Sequence, residues 1–350
     1  MGLGFVVIGS AVTGYEVVLA TFNGEDFLNQ QLASILQQSV LPVRLLVADD
    51  GSSDRTLDLL EAWQLRSPVP ITFLPVAQQQ LGCCANFERL LLASSASYVM
   101  LADQDDIWDL NKAERLQAAM AVLEQRWGNE RPLLVHTDLR LIDRFGRPLA
   151  DSFSLQQGLK PGSRGWLALA MQNVVTGCAC MLNRACVQRA LPFPPEAILH
   201  DWWLALVAAR LGEVAYLPSP SLSYRQHGRN IVGAAGWRCQ MLRRLQEALA
   251  GLFCGNISEL WVGPALRQMK ACDQRCASLD KDGVDSKLLP QIDMLWSTSI
   301  WCRLSTALAL RLRKHGVWRT FGFYVILLGW RPQNLPPQER LHPLSSGNRA

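Results

Sequence analysis

The sequence has 350 residues, 49% hydrophobic and 18% charged, which excludes an intrinsically disordered chain, a collagen-like repeat and a small disulfide scaffold. The formal net charge of +4 is too weak to indicate a nucleic-acid partner, and we expect none. The length predicts one large domain or two ordinary domains, each with a packed core.

From Glu16 the chain alternates short β-branched runs with amphipathic segments. This alternation predicts an α/β fold with a mostly parallel, Rossmann-like sheet flanked by helices. We expect strands at residues 17–20, 44–48, 71–74, 98–102, 133–136 and near 174–182, and helices near 28–36, 54–65, 85–93, 113–123 and 201–211. Ser52 or Ser53 is the expected cap of the second helix.

Beyond residue 235 the pattern changes to long helical segments rich in Trp, Arg and Leu. We therefore predict an N-terminal arm at 1–15, a catalytic domain at 16–235, a helical region at 236–332 and a flexible tail at 333–350. Residues such as Trp237, Arg238, Trp318 and Arg319 suit a helix lying on an anionic membrane, while packing against the core is the equally weighted alternative.

The ten cysteines lack the CxxC…CxxC spacing of a zinc site, so we interpret them as buried free thiols in a reducing cytoplasm. The apolar start of the chain lacks the basic region of a signal peptide. The apolar run from Phe321 to Trp330 is about half of the roughly 20 residues that a spanning helix needs. We therefore expect a cytoplasmic location and no transmembrane segment.

The most informative motif is Asp103-Gln104-Asp105-Asp106, which directly follows an apolar strand. Carboxylates two residues apart on an extended segment point to the same side, so Asp103 and Asp105 could share a cation. Oxygen ligands suit Mg²⁺ or Mn²⁺, which commonly bridge to substrate phosphates. A solvated acidic turn or a helix cap is the alternative interpretation.

Two further segments carry candidate groups. Asp49 and Asp50 end another strand, and neither a P-loop nor a GxGxxG motif accompanies them. Asp201 begins a helix beside Trp202 and Trp203, whose faces could stack on a sugar and raise the pKa of a neighbouring base by desolvation. Arg225 and His227 could form a pyrophosphate clamp, or they could belong to an exposed basic loop.

These motifs together resemble those of family 2 glycosyltransferases of the GT-A fold, in particular the bacterial rhamnosyltransferase-like members. The resemblance covers roughly residues 16–235. It is carried, in order, by 18-VLATFNG-24, 48-ADDGSSD-54, 101-LADQDDIW-108, 173-NVVTGC-178, 200-HDWW-203 and 224-YRQHG-228.

The resemblance implies transfer of a sugar from a nucleotide diphosphate donor with inversion at the anomeric carbon. Asp201 resembles the base that deprotonates the acceptor. Carried over in the same way, Thr21, Asn23, Asp49, Asp50, Asp103 and Arg225 would bind the nucleotide sugar, Thr176, Gly177, Trp202 and Trp203 would line the sugar or acceptor pocket, and Asp103, Asp105 and His227 would hold the divalent cation.

By the same resemblance, the favoured donor is dTDP-rhamnose, with a UDP-hexose as its competitor. The expected acceptor is a saccharide, favoured as a lipid-linked intermediate of O-antigen, capsule or cell-wall polysaccharide synthesis. Peripheral contact with the cytoplasmic face of the inner membrane would follow. A non-catalytic nucleotide-sugar-binding or scaffold protein is the main alternative, and a nucleotidyltransferase is disfavoured because residues 21–26 are acidic.

Overall fold

The computed structural model describes residues 12–77, 79–162, 165–227, 262–279 and 288–329. The predicted domain boundary near 235, the tail at 333–350, and Trp237 and Arg238 lie outside the described residues.

Strands and helices alternate through the first two thirds of the chain, as the sequence predicts. The strands are β1 (Val12–Thr21), β2 (Arg44–Asp49), β3 (Ile71–Phe73), β4 (Ala96–Ala102), β5 (Ile107–Trp108), β6 (Leu133–Thr137), β7 (Arg140–Ile142), β8 (Pro148–Ala150), β9 (Cys180–Asn183), β10 (Glu213–Leu217) and β11 (Leu222–Arg225). The helices are α1 (Leu28–Leu36), α2 (Thr56–Gln64), α3 (Cys83–Ala93), α4 (Lys112–Trp127), α5 (Phe153–Gln156), α6 (Trp166–Met171), α7 (Arg184–Ala190), α8 (His200–Leu211), α9 (Gly263–Leu279), α10 (Leu288–Asp293), α11 (Ile300–Ala309) and α12 (Val317–Gly329).

The main sheet has seven strands in the order β10-β6-β9-β4-β1-β2-β3. It is parallel except for β9, which runs antiparallel to both β4 and β6. In the middle of the sheet Val18 of β1 pairs with Leu46 on one side and Leu101 on the other. The ends of β1, β2 and β4 therefore meet at one edge, where open α/β sheets place their ligands.

Helices cover both faces of this sheet. Because its central strands are buried on both sides, their sequences are nearly continuous apolar runs. Val17 and Leu19 face a core built with α1, α2 and α4, while Val18 faces a second core built with α3 and α8. The second core continues into α9 to α12 through residues such as Leu266 and Phe323. The described C-terminal helices therefore pack on the same core as the sheet.

A smaller sheet, with strand order β5-β11-β7-β8, lies outside the sequence prediction. Its strands have two to four residues, too few for a period-2 pattern to stand out. It joins the segment after the acidic motif to the segment that ends at Arg225. This small sheet therefore brings two distant candidate motifs together.

Three details differ from the sequence expectations. β1 begins at Val12, so residues 12–15 of the predicted arm belong to the sheet, where Tyr15 pairs with Tyr98. The strand predicted near 174–182 is shorter, because residues 177–179 form a 3-10 turn before β9. The expected cap of α2 is also wrong, because Asp54, not Ser52 or Ser53, accepts the backbone N–H of Thr56.

Within the described residues, no helix combines the length and apolar character needed to span a bilayer.

Candidate active site

The acidic motif bends immediately after β4, and the bend separates its carboxylates. Asp103 and Asp106 come together with Cys178, with one ligand atom of each within 4.8 Å of the others. Asp105 instead pairs with His227, whose Nε2 lies 2.6 Å from Asp105 Oδ2. The extended geometry expected for Asp103 and Asp105 is therefore wrong, because a bend breaks the alternation of side chains.

Burial and mutual repulsion shape the protonation of these acids. Burial raises the pKa of Asp103 to about 7, with further contributions from the negative charges of Asp105 and Asp201. Burial, followed by the same kind of repulsion, also raises the pKa of Asp106. A divalent cation would offset this repulsion, and the carboxylate oxygens are ligands of the type that Mg²⁺ and Mn²⁺ prefer. The residues present therefore fit the expected cation.

Lys112, the first residue of α4, is fully buried beneath this cluster, and the sequence analysis missed it. Its Nζ donates to the backbone carbonyl of Cys178 and lies 3.3 Å from the ring centroid of Trp108. Burial lowers the pKa of Lys112 to about 7, while the negative charge of Asp106 acts in the opposite direction. The sequence offers one signal for this residue, a lysine at a helix start shortly after the motif DQDDIW. A lysine in that position is ordinarily interpreted as exposed to solvent.

His227 extends the acidic end of the site from the segment after β11. Besides its contact with Asp105, its ring stacks on Phe27 with the centroids 5.0 Å apart. His227, the third predicted metal ligand, therefore lies beside Asp105, one of the two carboxylates predicted to bind the metal. The imidazole and the carboxylate thus meet although they are far apart in sequence.

Arg225 is 1% exposed, which excludes the exposed basic loop considered for it. Its Nε donates to the carbonyl of Asp105, and Nη2 donates to Oε1 of Gln30 at 2.5 Å. Nη1 faces the carbonyls of Asp143 and Arg144. The guanidinium thus holds the acidic bend in place, which differs from the expected contact with a diphosphate.

Asp201 lies in the first turn of α8, close enough to the acidic cluster for its negative charge to contribute to the raised pKa of Asp103. Its Oδ2 accepts the backbone N–H of Gly177 at 3.0 Å, and its Oδ1 accepts Nδ2 of Asn173 at 3.1 Å. Burial raises the pKa of Asp201 to about 6, and these hydrogen bonds to the charged form partly counteract that rise. The group can therefore be ionised near neutral pH and still accept a proton.

The two tryptophans beside Asp201 have different surroundings. Trp203 is fully buried in the core and donates its Nε1–H to the carbonyl of Ala190, so its predicted place in the sugar pocket is wrong. Trp202 is partly buried and donates to the carbonyl of Leu169. Successive residues of a helix point in different directions, which is why only one of the pair can face a site.

Gly177 and Thr176 lie in the turn that supports Asp201. A Cβ on Gly177 would lie 2.7 Å from Nε2 of His200 and 3.3 Å from Cβ of Asp201, so only glycine fits without a shift. Thr176 directly precedes it and is partly exposed, with its carbonyl accepting the N–H of Ala179. The predicted pocket residues Thr176 and Gly177 are therefore next to the predicted base.

The predicted nucleotide-end residues join the ends of β1 and β2. Thr21 Oγ1 donates to Oδ2 of Asp49, whose carboxylate also accepts the N–H groups of Gly51 and Ser52. Asn23 has a positive φ of 48°, and its Oδ1 accepts the N–H of Ser53. These contacts fix the shape of the strand-end loops.

Asp50 and Gln104 connect this scaffold to the neighbouring segments. The carboxylate of Asp50 accepts the N–H groups of Leu81 and Gly82, at 2.7 and 2.8 Å, just before α3. The amide of Gln104 donates to the carbonyl of Phe22 and accepts its N–H. The sequence analysis gave Gln104 no role, yet it holds the acidic bend against the end of β1.

Comparison with known proteins gives this site a context. Residues 16–125 match the family described as "Glycosyl transferase family 2". The dTDP-rhamnosyl transferase RfbG of Shigella flexneri is 26% identical over 227 residues, which are 62% of this chain and 74% of that protein.

Two further similarities are more partial. The UDP-Glc:alpha-D-GlcNAc-diphosphoundecaprenol beta-1,3-glucosyltransferase WfgD of Escherichia coli is 29% identical over 100 residues, or 28% of this chain and 38% of that one. The structure of S. aureus TarS 1-349 in complex with UDP-GlcNAc is 14% identical, with a TM-score of 0.48, over 85% of this chain and 91% of that one.

Proposed function

We propose that the protein is an inverting, metal-dependent glycosyltransferase of bacterial polysaccharide synthesis, and the proposal starts from the match of residues 16–125 to glycosyl transferase family 2. The observation that carries the proposal is the position of Asp201 beside the acidic cluster. Gly177, which donates its N–H to Asp201, directly precedes Cys178, which lies with Asp103 and Asp106. The negative charge of Asp201 also contributes to the raised pKa of Asp103, so the proposed base and the proposed diphosphate site are neighbours.

The proposed reaction is one in-line displacement at the anomeric carbon of a nucleotide sugar. Asp201 accepts the proton of the acceptor hydroxyl as the new glycosidic bond forms, and the nucleotide diphosphate leaves with the electron pair of the broken bond. A single displacement inverts the anomeric centre and needs only one base. The hydrogen bonds from Gly177 and Asn173 hold both oxygens of that base in a fixed direction.

We propose that a divalent cation is held between Asp103, which lies in the cluster with Asp106 and Cys178, and the neighbouring pair of Asp105 and His227. When bound, Mg²⁺ or Mn²⁺ would neutralise charge on the diphosphate. Burial, followed by the negative charge of Asp105, raises the pKa of Asp103, and a divalent cation would offset both effects. Asp106 and Lys112 lie deeper and are proposed to position this loop.

We propose that the strand-end loops around Thr21, Asn23, Asp49 and Asp50 form the nucleotide end of the site. The side-chain oxygens of Asp49 and Asp50 accept backbone N–H groups, so their proposed role is to shape this end. Arg225 is likewise proposed to act through Asp105, whose carbonyl it binds, while Thr176 and Trp202 are the proposed pocket residues nearest the base.

The proposed donor is dTDP-rhamnose, supported by the similarity to RfbG, which is described as a dTDP-rhamnosyl transferase. The competing donor is a UDP-hexose, because the name of WfgD specifies UDP-Glc. The name of WfgD also specifies a diphosphoundecaprenol acceptor, which supports a lipid-linked saccharide as the acceptor here. Such an acceptor favours a peripheral position at the cytoplasmic face of the inner membrane.

A non-catalytic nucleotide-sugar-binding or scaffold protein is the alternative. Buried acids with raised pKa values cluster at catalytic sites, and burial raises the pKa of both Asp201, to about 6, and the nearby Asp103. This feature favours the enzyme.

The test is a panel of dTDP- and UDP-sugars with Mn²⁺, Mg²⁺ or a chelator, following thermal stabilisation and release of nucleotide diphosphate. We expect metal-dependent stabilisation and slow donor hydrolysis with one sugar, and loss of both in Asp105→Ala. Asp151→Ala, which removes an exposed acid elsewhere, is the matched control. Folded protein that responds to no nucleotide sugar would contradict the proposal.

A further inference from the structure

The C-terminal helices contain a long stretch without acidic residues. Between Asp293 and Glu339 the sequence has no aspartate or glutamate. The same stretch contains the cations Arg303, Arg311, Arg313, Lys314, Arg319 and Arg331. A protein surface normally mixes both signs of charge, so this segment carries a positive field of its own.

Large apolar side chains are exposed on the two helices of this stretch. On α11, Trp301 is 77% exposed, and Leu308 lies two turns further along the same face. On α12, Trp318 is 70% exposed and Phe321 is 62% exposed. Single exposed apolar side chains are ordinary on protein surfaces, but a contiguous run of them marks an interaction surface.

The exposed residues of α12 form one row. Trp318, Phe321, Val325 and Leu328 follow the spacing of three and four residues that places side chains on one helix face. Phe323 and Leu327 belong to the core and pack on the rest of the protein. The helix is thus apolar on its packed side and also on a side that the described residues leave open.

Cations lie next to this row. Arg311 and Arg313 are exposed in the segment between α11 and α12. Arg319, one residue after Trp318, is partly exposed, and its Nη2 donates to the carbonyl of Gln157. Aromatic side chains beside arginines are suited to the boundary between lipid headgroups and acyl chains.

We propose that the exposed face of α11 and α12, defined by Trp301, Leu308, Trp318, Phe321, Val325 and Leu328, docks on an anionic lipid bilayer. The partner follows from charge complementarity, because anionic headgroups attract the neighbouring arginines while the acyl region takes the aromatic rings. A second copy of the chain would bring the same cations to a symmetric contact, where like charges repel. The surface binds the bilayer whether or not the sugar donor has been assigned correctly.

The test is flotation of the full chain with vesicles of pure phosphatidylcholine or of phosphatidylcholine containing one third phosphatidylglycerol. We expect binding to the anionic vesicles that weakens as salt rises. The double variant Trp318→Ser/Arg313→Glu should reduce the vesicle-bound fraction on the order of tenfold. Donor hydrolysis should remain at the wild-type level, because neither residue belongs to the proposed site.

The matched control is Leu65→Ser/Arg66→Glu, which replaces an exposed apolar residue and an exposed arginine just after α2 and makes the same change in net charge. This control should bind like the wild type. The proposal is overturned if the wild type ignores anionic vesicles, if both double variants lose binding equally, or if Trp318→Ser/Arg313→Glu changes only the oligomeric state measured by analytical ultracentrifugation.

Discussion

The backbone N–H of Gly177 donates to Oδ2 of Asp201 at 3.0 Å, and this contact depends on Gly177 having no side chain. A Cβ there would lie 2.7 Å from Nε2 of the buried His200, which stacks on Phe87 with the centroids 3.9 Å apart. The turn and the helix start can approach each other only at glycine. The orientation of the proposed base is therefore set by a residue that performs no chemistry.

Gly177→Ala is predicted to reduce kcat by roughly 100-fold, because a shift of about 1 Å in a catalytic group has a cost of this size. Gly165→Ala, with no atom within 4 Å of the added Cβ, is the matched control and should keep the wild-type rate. Steady-state kinetics and the Tm of both variants check this. Equal kcat in the two variants would refute a positioning role for Gly177.

The pH dependence of the rate should follow Asp201. A general base must be ionised, and burial raises its pKa to about 6, so kcat/KM should rise with pH through about 6 and then level off. In Asn173→Ala the carboxylate loses a hydrogen bond to its charged form, so the acidic limb should move to higher pH. The measurement is the pH–rate profile of both proteins, and a limb that stays in place or moves to lower pH would contradict the assignment.

Lys112→Met should lower kcat more than it changes the KM for the donor. The variant removes the Nζ that binds the carbonyl of Cys178, and that residue directly follows Gly177. Cys178 lies with Asp103 and Asp106, so the variant removes a contact that holds both the proposed base and the acidic bend in position. Lys160→Met, which changes an exposed lysine, is the control. Kinetics at saturating donor and acceptor would test this, and an unchanged kcat would count against it.

Arg225→Lys separates a structural role from a diphosphate clamp. Lysine cannot reproduce the planar set of donors that reaches Asp105, Gln30 and the carbonyl of Arg144. We expect a loss of about 2 kcal/mol in the free energy of unfolding, because buried oxygen acceptors are left without a donor. Denaturant unfolding measures this loss. Wild-type stability with a selective loss of donor binding would instead support the clamp.

Much of the fold was predictable because the apolar strands and the amphipathic helices repeat in regular order. The main sheet and the positions of Asp103, Asp105 and Asp201 at strand or helix ends follow from that pattern. The small sheet was not predictable, because strands such as β5 are too short to show a period. Because the small sheet was not predicted, an exposed loop was considered for Arg225 as the alternative to a pyrophosphate clamp.

Side-chain environments were harder to predict than element positions. Trp202 and Trp203 are adjacent in sequence, and only the packing of α8 decides that Trp203 lies in the core. The burial of Lys112 depends on contacts with Trp108 and with the carbonyl of Cys178. Sequence spacing gives neither of these contacts, because they join separate elements.

The most direct test of the central claim is sugar transfer by Asp201→Asn, measured with the donor that stabilises the wild type and with Asp151→Asn as control. The account predicts that Asp201→Asn still binds the donor and metal, while kcat falls about 10²- to 10⁴-fold and Asp151→Asn stays at the wild-type rate. Near-normal transfer by Asp201→Asn would contradict the assignment of Asp201 as the base.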